Sequence, residues 1–125
     1  EELYQMCDII SLHIPATPEP KASINYSLVS KMPKGGVLVN TARKEVIDEE
    51  GLITLMQERT DLKYMTDVMP AADAKFRTLF EGRYFATPKK MGAQTAEANI
   101  NAGIAAAKQI VDYIQNGNTR FQVNK

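Results

Sequence analysis

The sequence predicts an α/β protein built on a parallel sheet. Four short apolar runs rich in Ile, Val and Tyr are separated by connections of about 15 to 20 residues, most of them long enough for a helix. Strands that alternate with helical connections are typical of βαβ units. Right-handed crossovers align the carboxyl ends of such strands along one edge, where open α/β sheets bind ligands. The pattern therefore predicts a fold and also the edge on which a site would lie.

The apolar runs are the predicted strands. The second run is apolar without alternation, as expected of a strand that is buried on both faces. In chain order the runs cover residues 9–14, 36–40, 62–68 and 84–87.

Helical patterns occupy the connections between these runs. Residues 26–32 carry apolar positions at helical spacing. Asp48 can cap the next helix, and Glu49 and Glu50 fall in its first turn, where the helix dipole favours anions. Residues 73–80 could form a short helix in the third connection.

The last helix has the clearest pattern. An apolar stripe repeats at 3.6-residue spacing, and Asn116-Gly117 is typical of a helix that ends in a left-handed residue. A tail follows. The stripe consists of Ile100, Ile104, Ala107, Val111 and Ile114.

Composition excludes several classes of protein. The formal net charge is +0, so no overall field favours nucleic acid or an anionic membrane. Cys7 is the only cysteine, which excludes an internal disulfide and a Cys-based zinc site and fits a reducing compartment. No apolar stretch approaches the ~20 residues that span a membrane. We therefore expect a cytoplasmic protein with no nucleic-acid or membrane partner.

Polar residues follow every predicted strand. His13 follows the first strand, the Asn-Thr-Ala-Arg segment 40–43 ends the second, Asp67 closes the third, and the Thr-Pro-Lys-Lys segment 87–90 ends the fourth. Taken singly, each has a plain structural explanation: a hydrogen-bonded core histidine, a turn cap, or solvated surface charge. Together at one sheet edge they favour a small-molecule site.

Several common site motifs are absent. The sequence has no G-x-G-x-x-G and no P-loop, and no serine elbow motif. One histidine without clustered carboxylates gives no plausible metal-ligand set. We therefore expect no metal.

Three segments in order resemble one family. "CDIISLHIPATPEPKASIN", "MPKGGVLVNTARKEVIDEEGL" and the Thr-Pro…Gly-Ala…Thr-x-Glu-Ala stretch are similar to the second half of the NAD-binding domain of D-2-hydroxyacid dehydrogenases. The resemblance implies the C-terminal half of a Rossmann-like doubly wound parallel sheet over residues 1–93. It further implies that residues 94–125 form a long helix and tail that return toward a substrate domain. The chain would then be a C-terminal fragment, inactive when isolated.

The same resemblance assigns roles to residues. Arg43 would bind the carboxylate and carbonyl of the substrate, and Asp67 would meet the nicotinamide end of the cofactor, NAD. A specificity segment that separates NAD from NADP would lie upstream. The cofactor-binding residues implied are His13, Ile14, Pro15, Thr41, Ala42, Arg43, Asp67, Gly92 and Ala93.

The chain departs from the family pattern at the acid/base. Where the family has Thr-Pro-His-x-Gly, this sequence reads Thr-Pro-Lys-Lys-Met-Gly. Counting from the proline makes Lys89 the replacement, and counting from the glycine makes it Lys90. Alanine also stands where the family has the glutamate that supports the histidine, and Asp73, one position later, is the nearest carboxylate. Lysine in place of the histidine resembles a subgroup that acts on 3-phosphoglycerate in the first step of serine biosynthesis.

The function implied is hydride transfer between NAD and a D-2-hydroxy acid, in a homodimer. Arg43 would clamp the carboxylate through its planar donor fork, and one lysine would transfer the hydroxyl proton. Two alternatives stay open. One is a non-catalytic, NAD-responsive co-repressor module on the same fold, and the other is an interaction domain with no small-molecule site.

Overall fold

A computed structural model describes residues 1–15, 22–92 and 94–124. The chain forms two compact units, Glu1–Lys90 and Met91–Lys125. The first unit contains helices α1 (Glu2–Met6), α2 (Tyr26–Val29), α3 (Glu49–Glu58) and α4 (Asp73–Leu79), and strands β1 (Ile9–Leu12), β2 (Val37–Asn40), β3 (Lys63–Thr66) and β4 (Tyr84–Ala86). The second unit contains helix α5 (Ala96–Asn116).

The predicted parallel sheet is confirmed. The strands are ordered β1-β2-β3-β4, and every neighbouring pair is parallel. Each strand is shorter than its predicted run: β1 and β4 end earlier, β2 begins one residue later, and β3 is shorter at both ends. The carboxyl ends of the four strands therefore lie along one edge, as the βαβ pattern predicted.

Burial separates the two faces of the sheet. One face packs into a core whose largest fully buried side chains are Tyr64, Phe76 and Phe80. The other face exposes Ile9 and Phe85. The core also contains residues from α2, α3 and the segment that follows β2, so helices cover the buried face.

Two arginines fasten the amino edge of the sheet. Arg59 donates to three backbone carbonyls of the turn before β2, at 2.8 to 3.2 Å, and pairs with Asp61 at 2.6 Å. Arg83 donates to the carbonyls of Met56, Arg59 and Leu62 at 3.1 to 3.2 Å, which closes the last turn of α3. The guanidinium groups thereby hydrogen-bond backbone carbonyls at the end of α3 and in the turns before β2 and β3.

The helix starts and stops follow the predicted signals. Asp48 caps α3, and its carboxylate accepts a hydrogen bond from the N–H of Gly51 at 3.3 Å. In the second unit, Thr95 caps α5 by accepting from the N–H of Ala98 at 3.0 Å. Gly117 ends α5 in the left-handed region, with φ of 65°, as the Asn-Gly pair predicted. Among the described residues, no helix is both long enough and apolar enough to cross a membrane.

Candidate functional site

The four strands end in register, so the residues that follow them lie side by side at the carboxyl edge. The pairing aligns Leu12 with Asn40, Asn40 with Thr66, and Thr66 with Ala86. The residue that directly follows the last residue of each strand carries a polar side chain in all four cases. These residues are His13, Thr41, Asp67 and Thr87.

His13 and Thr41 touch each other across β1 and β2. The Thr41 Oγ1 lies 3.0 Å from the carbonyl oxygen of Leu12 and 3.2 Å from the Nδ1 of His13. The His13 Nε2 lies 2.9 Å from the hydroxyl of Ser11. A consistent arrangement has Thr41 donating to the carbonyl, His13 Nδ1–H donating to Thr41, and Ser11 donating to Nε2. Both ring nitrogens then have hydrogen-bond partners. His13 is therefore an exposed, hydrogen-bonded residue at the sheet edge and not a core histidine.

Asp67 is held between β2 and β4. Its N–H donates to the carbonyl of Asn40 at 2.9 Å, and its Oδ1 accepts from the hydroxyl of Thr87 at 2.9 Å. The side chain is half-buried. The carboxylate is therefore fixed from a neighbouring strand at the edge where the sequence predicted a ligand.

Arg43 lies on a loop that the buried side chain of Asn40 holds. The Nδ2 of Asn40 donates to the carbonyl of Arg43 at 2.9 Å, and its Oδ1 accepts from the N–H of Ala42 at 3.0 Å. Arg43 itself is extended, with φ −141° and ψ 151°, and its residue is exposed. The backbone is fixed while the guanidinium reaches solvent, which suits a group that binds an anion.

Lys89 and Lys90 follow Thr87 and close the first unit, and both are exposed. α5 begins at Ala96, in the second unit. Because Lys89 and Lys90 precede the start of α5 in the sequence, an anion held jointly by a lysine and the free N–H groups of that helix is a further prediction, and it stays one. The ion pairs between described residues are made by other cations, namely Lys31, Arg59, Lys75 and Arg77.

Asp73 has structural partners. Its Oδ2 pairs with Arg77 one helical turn away at 2.8 Å, and its Oδ1 accepts from the hydroxyl of Tyr84 at 2.6 Å. The hydrogen bond from Arg77, followed by that from Tyr84, lowers the pKa of the Asp73 carboxyl. Burial, and then the Asp73 hydrogen bond, raises the pKa of Tyr84. These contacts explain why the aspartate is present, and a catalytic role for it stays a prediction.

The remaining predicted cofactor residues lie in different surroundings. Ile14 packs against the core, and Pro15 is exposed. Gly92 belongs to the second unit. Ala93 lies outside the described residues. Among the described residues, no cluster of three or more side chains could hold a metal ion.

The sequence analysis did not include Asn40 and Thr87 among the site residues. In the structure the side chain of Asn40 holds the backbone of the Arg43 loop, and that of Thr87 holds the carboxylate of Asp67. The available signal was chemical. Asn40 is a polar residue at the end of an otherwise apolar run, Val-Leu-Val-Asn, and a buried amide needs partners for both of its ends.

Comparison with known proteins defines the class. Residues 1–88 match the family model described as "D-isomer specific 2-hydroxyacid dehydrogenase, NAD binding domain". The chain belongs to this family, and it carries part of an NAD-binding domain. This confirms the resemblance and the cofactor that the sequence indicated.

Particular relatives share one name. A crystal structure of NAD⁺-bound 3-phosphoglycerate dehydrogenase from Entamoeba histolytica is 58% identical, with a TM-score of 0.89, over 99% of this chain and 41% of that one. D-3-phosphoglycerate dehydrogenase of Haemophilus influenzae is 32% identical over 99% of this chain and 32% of the relative. That of Synechocystis is 33% identical over 98% of this chain and 22% of the relative. The chain thus spans a third or less of these two curated relatives.

Proposed function

We propose that the whole protein is an NAD-dependent oxidoreductase that transfers a hydride between NAD and a D-2-hydroxy acid, 3-phosphoglycerate. The observation that carries this proposal is the row of polar groups at the carboxyl edge, with Arg43 presented beside it. The similarity to proteins named D-3-phosphoglycerate dehydrogenase supports the choice of substrate.

The edge offers groups that fit the cofactor's nicotinamide end. The Asp67 carboxylate is held at Oδ1 by Thr87, and a carboxylate has further lone pairs that can accept from a carboxamide NH₂. Thr41 and Ala42 lie on the neighbouring strand end. When bound, NAD supplies the hydride chemistry, and the protein supplies orientation and proton transfer.

Arg43 and the lysines divide the remaining work. The planar guanidinium of Arg43 would hold the substrate carboxylate with two parallel hydrogen bonds. Lys89 or Lys90 would accept the C2 hydroxyl proton during oxidation and return it during reduction. The other lysine would bind the substrate phosphate or favour the neutral form of its neighbour by charge repulsion. All three cations are exposed, and their charge favours an anionic substrate.

The test measures NADH oxidation by the whole protein with 3-phosphohydroxypyruvate. Lys89→Ala and Lys90→Ala should differ, because the acid/base variant loses about 10²- to 10⁴-fold in kcat while the phosphate-binding variant mainly raises KM. Lys34→Ala is the matched control, since Lys34 is an exposed lysine on the turn before β2. Wild-type kcat and KM in both variants would refute the lysine assignment, and absence of wild-type turnover would refute the activity.

A specific observation favours a second candidate. The histidine of the family motif is absent, and Asp73 is paired with Arg77 and Tyr84. A non-catalytic, NAD-responsive module on the same fold would need neither group. Binding of NADH by the whole protein without turnover of any 2-keto acid would support this candidate.

We also infer a cytoplasmic homodimer. The one cysteine, Cys7, is free, which suits a reducing compartment, and the dimer follows from the family resemblance. Light scattering on the whole protein tests the second point, and a monomeric mass would refute it.

A further inference from the structure

Asn40 is a fully buried amide at the end of β2. Its exposed fraction is 0%, and only Thr66 joins it among the buried polar side chains of the described residues. A buried amide is costly unless its donor and acceptor both find partners. The partners of Asn40 therefore indicate what its presence in an apolar strand achieves.

Those partners belong to two different parts of the candidate site. The side chain bonds the loop through the N–H of Ala42 and the carbonyl of Arg43. The backbone carbonyl of Asn40 instead accepts from the N–H of Asp67 at 2.9 Å and from the hydroxyl of Thr66 at 3.2 Å. Asn40 thus connects the loop of Arg43, the residue proposed to bind the substrate, to the strand end of Asp67, the residue proposed to face the cofactor.

We propose that Asn40 is a positioning residue that fixes Arg43 relative to Asp67, an inference that rests on the proposed function. Hydride transfer requires the substrate carbon and the nicotinamide to be held in a near-attack geometry, and a displacement of about 1 Å can cost about 100-fold. The short side chain sets this geometry because it hydrogen-bonds the loop on both sides of the peptide group that joins Ala42 to Arg43. The side chain acts through Arg43 and does not itself meet the substrate.

The test is a double-mutant cycle in the whole protein. Asn40→Asp keeps the size and the acceptor for Ala42 but places an oxygen opposite the Arg43 carbonyl, where the amide N–H₂ was. We expect kcat/KM for 3-phosphohydroxypyruvate to fall about 10- to 100-fold. In the Arg43→Ala background the same substitution should cost less than about threefold, because the residue through which Asn40 acts is gone.

Thr66→Val is the matched control. Thr66 is also buried and touches the Asn40 carbonyl, but no bond of its side chain reaches the loop. Its effect on kcat/KM should be the same with and without Arg43. Thermal unfolding of every variant separates loss of fold from loss of positioning, and Asn40→Ser, which introduces no buried charge, serves where Asn40→Asp does not fold.

The outcomes are distinct. Turnover by the wild type together with a cost of Asn40→Asp that is equal in both backgrounds would overturn the positioning role alone. Failure of both Asn40 variants to fold would make Asn40 a residue of general stability and would also overturn it. No turnover by the wild type would overturn the proposed function, and this inference with it.

Discussion

We predict that Asp61 makes a pH-dependent contribution to stability at the amino edge of the sheet. Its Oδ2 accepts from a guanidinium N–H of Arg59 at 2.6 Å and from the N–H of Gly35 at 2.8 Å. The Arg59 hydrogen bond, followed by that from Gly35, lowers the pKa of the Asp61 carboxyl from 3.8 to about 2. The near-isosteric substitution Asp61→Asn removes the negative charge that these hydrogen bonds stabilise.

The magnitude follows from the lowered pKa. One pKa unit corresponds to about 1.4 kcal/mol, so a shift to about 2 would contribute about 2.5 kcal/mol if none of it were screened. The Asp61 side chain is 23% exposed, and asparagine keeps an acceptor for Gly35. We therefore expect Asp61→Asn to lower the free energy of unfolding by about 1 to 2 kcal/mol at pH 7.

The sign with pH is fixed by linkage. Because the folded pKa of Asp61 lies below its unfolded value, the stabilisation is fully present above about pH 4 and is lost as the pH falls from 3.8 toward 2. The assay is urea unfolding of the whole protein and of Asp61→Asn at several pH values, with the difference taken at each. A difference that is absent at pH 7, or that does not shrink between pH 4 and pH 2, would refute the argument.

Two further predictions concern cofactor binding and α5. Thr87→Val removes the hydroxyl that donates to Asp67 at 2.9 Å, so NADH should bind about five- to tenfold more weakly by fluorescence titration, with Thr87→Ser close to wild type; equal affinity in all three would contradict the role. Gly117→Ala should lower the free energy of unfolding of the whole protein by about 1 kcal/mol. An added Cβ would meet no neighbouring atom, but the φ of 65° is costly for alanine. Gly103→Ala is the matched control inside α5, also with open space, and should raise the free energy of unfolding by a similar amount; effects of the same sign would refute this reasoning.

Periodicity and topology carried the fold prediction. The strands, the α3 cap at Asp48 and the end of α5 at Gly117 depend on local signals, namely apolar runs, a capping carboxylate and a glycine with positive φ. Parallel pairing then determined which edge collects the residues after each strand. The first strand was longer in the prediction because the apolar Ile14 packs against the core after β1 has ended.

The site could be predicted only at the level of position. That Arg43 and Asp67 meet the same edge follows from the strand order. That Asn40 holds the Arg43 loop, or that Thr87 holds Asp67, depends on side-chain contacts between separate segments, which have no periodic signature. The choice between Lys89 and Lys90 is also beyond sequence spacing, because the family motif gains one residue there.

The two edges of the sheet use their charges in opposite ways. At the amino edge, Arg59 and Arg83 donate hydrogen bonds to backbone carbonyls, and Asp61 forms an ion pair with Arg59. At the carboxyl edge the polar contacts are made by short side chains such as Asn40 and Thr87. The long cations at that edge, Arg43, Lys89 and Lys90, are exposed and take no part in the ion pairs between described residues. Because Arg43, Lys89 and Lys90 are exposed beside these contacts, their charge favours an anion at the carboxyl edge, where the proposed substrate would present its carboxylate and phosphate.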